Sequence, residues 1–294
     1  MRIKTIVLTA VLSIMCIFTL AGCQKKIHLE EKSFTAETEI KTIVIDDESM
    51  DIEFSSSSTA KNITVDYYES SEYPLDVSVV LSSSTLRIKR NVKHTTFTPD
   101  YTWQYGCKTV VTLPKEYDGE IEVDIINGDI TANAITAGEV DLNTTNGDII
   151  LKTVTFKESK LNITNGKVNV SASTLDSLEV EVTNGDIQIS QTSISNKLKT
   201  DLTNGDHLFE NVSAVSYDLN TTNGDFNLKK IECMALVNVK VVTGSVSISM
   251  KGAKEEYKTA LSTGAGKIKG ETSEGTKIIT VKTTVGDITI SYLG

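Results

Sequence analysis

The dipeptide Asn-Gly recurs at Asn127-Gly128, Asn146-Gly147, Asn165-Gly166, Asn184-Gly185, Asn204-Gly205 and Asn223-Gly224. The phase continues in degraded form at Thr243-Gly244, Thr263-Gly264 and Val285-Gly286. Successive glycines lie 19, 19, 19, 20, 19, 20, 20 and 22 residues apart. A period this constant marks a repeat architecture, in which one small unit stacks on copies of itself. Asn and Gly both tolerate positive φ, so each dipeptide reads as a tight corner between two extended segments.

The segments on either side of each corner alternate. Leu178, Val180 and Val182 precede Gly185, and Ile187 and Ile189 follow it. Val237, Val239 and Val241 precede Gly244, and Val246 and Ile248 follow. Period two means strands with one buried face. One further apolar residue sits in many units, such as Ile135, Val154, Val212 or Ile231. The near-identity of the corners is what self-stacking demands. The expected fold is therefore all-β: a single-stranded parallel β-helix, or solenoid, with turns of about 20 residues. Each strand should pair with its copy one turn away, and nine turns would span ~43 Å. A row of hairpins in an antiparallel sandwich is the alternative. The repeats occupy 119–294. Residues 39–118 also alternate but lack the Asn-Gly marker, and read as an atypical N-terminal β section or cap.

The first residues read as an address. Arg2 and Lys4 precede an apolar run from Ile6 to Leu20, shorter than the ~20 residues a spanning helix needs. Leu20-Ala21-Gly22-Cys23 then has the form of a lipobox, with small residues at the cut and a thiol to take lipid. The expectation is a lipoprotein signal peptide over 1–22, a lipidated tether over 23–38, and a mature chain anchored to a membrane through Cys23. That chain would be extracytoplasmic. Cys107 and Cys233 would lie several turns apart, too far to form a disulfide.

The composition narrows function. The chain has 39 Asp+Glu against 29 Lys+Arg, a net charge of −10, which speaks against nucleic acid as partner. Only three His and three Arg occur, no Arg after Arg90, and no nucleophile, zinc or phosphate-loop motif. No enzyme activity and no cofactor are expected. A polysaccharide-active enzyme is the least favoured alternative, raised only because such enzymes also use parallel β-helices.

Four features could carry a site. The residue after each corner glycine is often Asp, and Asp186, Asp206 and Asp225 form a weak candidate for a bridging hard cation. The favoured reading is a solvated turn residue bonding the corner backbone, so no metal is expected. The Asn-Gly column itself, Asn127 through Gly224, reads as a structural amide ladder. Tyr101, Trp103 and Tyr105 lie in a stretch that breaks the repeat and suits sugar stacking or protein contact. His207 stands where other units place an inward apolar residue, and reads as a satisfied core residue.

The lipobox, the Val-Thr-Leu-Pro strand end at 111–114 and the Thr-Asn-Gly-Asp-Ile units at 145–149 and 183–187 resemble a large bacterial β-strand-repeat family. Its members are described as putative adhesins of no established function. The resemblance implies a β-solenoid at the cell envelope and carries over no catalytic residue. The expected role is a non-enzymatic adhesion or binding module, contacting a cell-wall glycan or an envelope protein. The alternative is a structural or signalling component that binds a membrane protein.

Overall fold

A computed structural model describes residues 29–69, 75–92, 108–270 and 273–294. The signal peptide, Cys23, Cys107, Tyr101, Trp103 and Tyr105 lie outside the described residues. The N-terminal section supplies β1 (Glu30–Thr35), β2 (Thr42–Ser49), β3 (Asp51–Ser57), β4 (Thr64–Glu69), β5 (Leu75–Ser82), β6 (Thr85–Val92) and β7 (Lys108–Pro114). The repeats then begin with β8 (Glu120–Asn127) and β9 (Ile130–Asn133), followed by β10 (Thr136–Asn146) and β11 (Ile149–Lys152). Next come β12 (Thr155–Asn165), β13 (Val168–Ser171), β14 (Thr174–Asn184), β15 (Ile187–Ser190), β16 (Ser193–Asn204), β17 (His207–Glu210) and β18 (Ser213–Asn223). β19 (Phe226–Thr243) serves as one turn's short strand and the next turn's long strand. β20 (Val246–Met250), β21 (Tyr257–Ala265), β22 (Ile268–Lys269), β23 (Lys277–Val285) and β24 (Ile288–Tyr292) complete the chain.

This is a parallel β-solenoid. Every turn gives its long strand to one parallel sheet and its short strand to a second. Pairing is in register around the Asn-Gly corner: Leu142 faces Leu161, Leu161 faces Val180, and Asn146 faces Asn165. Both sheets turn their alternate apolar residues toward one continuous core. The N-terminal strands are layers of the same stack, since Ile43 pairs with Ile121 and Ile52 with Ile130. At that end β5 runs antiparallel along β6, and β4 runs antiparallel along both β1 and β7. Antiparallel strands there cover edges that would otherwise invite further pairing.

Chain order and stacking order agree from β8 to β20 and part at both ends. β2 and β3 lie between the β6/β7 layer and the β8/β9 layer. At the other end the last unit, β23/β24, is inserted between β19/β20 and β21/β22. Pairing one turn away along the chain therefore fails there. The reason is apolar content. The inserted unit carries Ile279 where the outer unit carries Thr259. Its Ile279, Val281, Ile288 and Ile290 are buried as an interior layer, and the outer unit's Ile268 is left 45% exposed.

A second correction concerns the corner of that outer unit. Ala265 pairs with Val285 and Ile268 with Ile288, so Gly266 is the corner glycine rather than Gly264. The true intervals are 22 and then 20, and Lys267, not Ala265, follows the corner. The extra residues sit in the 3-10 turn Lys254–Glu256 and its flanks.

Two kinds of corner close each turn. At the Asn-Gly corner the glycines have φ between +142° and +152° from Gly128 to Gly244, a region open essentially to glycine alone. A Cβ on Gly185 would stand 1.8 Å from the carbonyl oxygen of Gly166 in the turn before. The other corner has no residue-type marker. Ala134, Thr153, Ala172, Gln191, Asn211 and Lys230 each adopt left-handed φ of 50–57°. A non-glycine residue there costs roughly 1–2 kcal/mol, offset by the ladder bond its amide makes, as from Gln191 N–H to the Glu210 carbonyl at 2.9 Å. The residue that follows is buried: Ile135, Val154, Ser173, Thr192, Val212 or Ile231. Long strands also bend once. Leu175 and Leu178 are both buried with two residues between them, and Ile194 and Leu198 with three. The extra residue of that 20-residue turn is thus spent in a bulge outside the core. Cys233 is a buried free thiol.

The two corners should answer oppositely to substitution. Gly185→Ala is expected to lower stability by at least ~3 kcal/mol, because strain and backbone overlap combine. Gln191→Gly should stay within ~1 kcal/mol of wild type, since relieved φ strain offsets chain entropy. Thermal and urea melts followed by circular dichroism check both. Equal effects at the two sites would contradict the corner assignment.

Candidate functional site

In the strand entering each Asn-Gly corner, the residues two and four before the glycine point outward. Stacking turns these positions into columns on the long-strand sheet. The position two before glycine is Thr145, Thr164, Thr183, Thr203 and Thr222 over five consecutive turns, all exposed. Thr284 continues the column after Val242. The position four before glycine is Asn143, Asn162, Glu181, Asp201 and Asn220, half-buried except for the exposed Glu181. Lys240 and Lys282 follow. These columns line a groove of about 770 Å³ that runs across the turns from Asp124 to Lys282.

The half-buried column is cross-braced. Asn162 Nδ2 donates to Asn143 Oδ1 at 2.6 Å, and Asn220 Nδ2 to Asp201 Oδ1 at 3.0 Å. Each amide keeps further hydrogen-bonding capacity. The threonine hydroxyls of the five-turn column make no hydrogen bond within the described residues. Beyond the groove the same sheet carries charge pairs between turns, such as Lys199 with Glu179 at 2.7 Å and Lys197 with Asp218 at 3.2 Å. The Lys199 ammonium holds the Glu179 carboxyl below its usual range. Such exposed pairs contribute little to stability.

The corner columns are occupied by structure. Asn146, Asn165, Asn184, Asn204 and Asn223 each donate Nδ2–H to the Oδ1 of the asparagine one turn before, at 2.9–3.0 Å. The ladder begins at Asn127. The carboxylates beside it accept backbone N–H groups from the neighbouring turn. Asp129 takes the Asp148 amide at 2.8 Å, Asp148 that of Lys167 at 2.7 Å, Asp186 that of Asp206 at 3.2 Å, and Asp206 that of Asp225 at 2.8 Å. Burial pushes the Asp129 carboxyl up. Burial also opposes charge on Asp186, but the Asp206 amide and the Lys167 ammonium, 3.0 Å away, outweigh it and hold that carboxyl down. Among the described residues no group of three or more His, Cys, Asp or Glu is placed to hold a metal ion.

The described aromatics of the N-terminal section pack inward. Tyr67 and Tyr68 lie against the core, and Tyr117 is buried with its hydroxyl donating to the Glu120 carbonyl at 3.1 Å. The threonine column is the feature that motif reading passed over. Its signal was present, because Thr precedes Asn-Gly in five successive units, but the step stood out as a corner rather than as a surface.

The family model described as Toastrack DUF4097 matches residues 40–291. No curated protein matches the chain. A solved structure titled as a putative lipid binding protein from Parabacteroides distasonis ATCC 8503 is similar at 13% identity, with a TM-score of 0.54. That match covers 88% of this chain and 96% of the other. A putative adhesin from Bacteroides fragilis NCTC 9343 is similar at 14% identity and TM-score 0.46, over 92% of this chain and 100% of the other. At these identities the first likeness speaks to fold alone. Among the described residues no helix is long and apolar enough to cross a membrane.

His207 is fully buried inside the stack. Its Nε2 lies 2.8 Å from Thr200 Oγ1 across the core, and its ring stacks on Phe226 at 4.0 Å. Burial lowers its pKa from 6.5 to about 3. A depressed folded-state value means stability that is full above pH 6.5 and drains away as pH falls toward 3. Between pH 7 and pH 4 this one group should cost the fold about 3 kcal/mol. His207→Phe with Thr200→Val is expected to flatten the acid limb of urea midpoint against pH by that amount. An unchanged acid limb would show that His207 does not remain neutral in the fold.

Proposed function

The chain belongs to the Toastrack DUF4097 family, and from that premise we propose that it is a non-enzymatic binding or adhesion module held at the cell envelope by lipid on Cys23. The observation that supports this best is the groove on the long-strand sheet. It extends over several turns, its scaffold is a continuous in-register ladder of paired strands, and the hydroxyls of its five-turn exposed threonine column make no hydrogen bond among the described residues. Catalysis would need an acid, a base or a nucleophile brought together. Here His207 is walled into the core, and the corner carboxylates accept backbone amides. The lipobox supplies the anchor in this reading, and the polar stretch after it the tether. Tyr101, Trp103 and Tyr105, which lie outside the described residues, are proposed as a second contact.

A second reading, a structural or signalling component that docks on a membrane protein, has one observation in its favour. Leu236 and Ile278 pair in register on the outer face and are 37% and 44% exposed, beside Met234 at 62%. Protein interfaces are centred on such apolar groups.

The test uses soluble protein starting at Gln24 and isolated cell envelopes in a sedimentation assay. Wild type is expected to bind saturably. Thr183→Arg with Thr203→Arg should abolish binding by filling the groove, and Met234→Asp with Leu236→Asp should leave it intact. The reverse pattern would overturn the groove reading in favour of the second. In cells, Cys23→Ala is expected to move the protein from the membrane fraction to the soluble one. Retention of that variant would contradict lipid anchoring.

A further inference from the structure

Resting on the reading of the groove as a binding surface, we propose that it takes a linear chain of β-1,4-linked sugars laid along the stacking axis, with an anionic group seated at Lys240 and Lys282. The groove's own chemistry points to this class. Its side-chain columns repeat once per turn, at about 4.8 Å. A flat β-1,4-linked hexopyranose chain advances by a similar step per sugar, so one sugar can lie over each turn, its two edges alternating because successive sugars are flipped. An extended peptide advances about 3.3 Å per residue and would fall out of phase. It would also find no sheet edge to pair with, because the long strands pair on both sides from β8 to β19, and strand addition needs an open edge.

The hydrogen-bonding groups match hydroxyls. Threonine offers a donor and acceptor beside a methyl group. Asparagine offers both functions on one amide, and Glu181 and Asp201 offer acceptors. Sugars supply hydroxyls that donate and accept, with C–H faces for the threonine methyls. A lipid chain would face amides and carboxylates along most of the groove. A nucleic acid would bring phosphates against Asp124, Glu181 and Asp201.

Lys240 and Lys282 fix the direction. They stand opposite each other on adjacent strands, β19 and β23. Like charges so placed repel. Lys240 interacts electrostatically with Asp218, yet no ion pair joins either ammonium to a carboxylate among the described residues. An anionic substituent would relieve the repulsion, while the acidic half of the groove requires a neutral chain.

The experiment is titration calorimetry of the chain from Gln24 with cellohexaose, chitohexaose and, for each, the reducing-end alditol and aldonate, both open-chain at the last unit and differing there by a hydroxymethyl against a carboxylate. At least one neutral hexaose should bind, and its aldonate about three-fold more tightly than its alditol, the worth of an exposed charge pair. Lys240→Gln with Lys282→Gln should erase that advantage and spare the neutral sugar. Thr164→Val, Thr183→Val and Thr203→Val together should weaken every hexaose by about five-fold or more, the equivalent of at least one net hydrogen bond. Val keeps the shape and suits a strand, so an unchanged melting temperature separates lost contact from lost fold. Hexaose binding unmoved by the valine variant overturns the site assignment. Envelope binding by wild type with no hexaose binding overturns the ligand class while leaving the module reading standing. Failure of both sinks the two together.

Discussion

At each Asn-Gly corner the glycine backbone of one turn rests directly on the glycine backbone of the next, and every larger feature depends on that contact. From Gly147 to Gly244, an added Cβ would meet the preceding glycine's carbonyl oxygen at 1.7–1.9 Å. No other residue type fits without moving a turn. On one flank the asparagine amides bond turn to turn. On the other, the aspartates clamp the next turn's amide. Backbone, amide and carboxylate thus fix one register three times over. A slip by a single residue would exchange buried for exposed faces in every strand. The corner is therefore the register lock, and the apolar columns of the core follow from it.

The same lock explains the outer face. Side chains two and four positions before the glycine inherit its regularity, so a threonine column and a column of amides and carboxylates stay straight across five turns. Where the lock weakens, the architecture changes. The asparagine ladder ends at Asn223, and Thr243 and Val285 take the amide's place in the next two layers. At that point stacking leaves chain order and the last unit inserts itself inside the outer one. Burial of Ile279 and Val281 then decides position, because the corner no longer distinguishes one neighbour from another by its side-chain amide.

Much of this was legible in the sequence. The glycine spacing and period-two alternation specify a stack of strands with one buried face, and they place Val180, Val182, Ile187 and Ile189 in the core. Three things were not legible, each for a physical reason. The second corner at Ala134, Thr153 and Gln191 has no residue signature, because its strain is modest and the ladder bonds offset it. The insertion of β23 and β24 is a choice between two similar partners, set by burial over a whole unit rather than by a motif. The corner at Gly266 was misread as Gly264 because two glycines lie two residues apart and only strand register separates them. The groove lay in plain view as a run of threonines. Its meaning emerges only when turns are stacked, since a column does not exist within one repeat.

The central claim, that the corner fixes equal in-register steps, is tested most directly by distances between paired spin labels. Labels at Thr145 with Thr183, Thr203, Thr222 or Thr284 lie two, three, four and six layers apart in the observed stack. The separations should rise in proportion, by about 4.8 Å per layer, to roughly 29 Å for the last pair. A Thr145–Thr284 distance one layer longer would restore chain order at the C-terminal end. Distances that fail to rise with layer number would contradict in-register stacking itself.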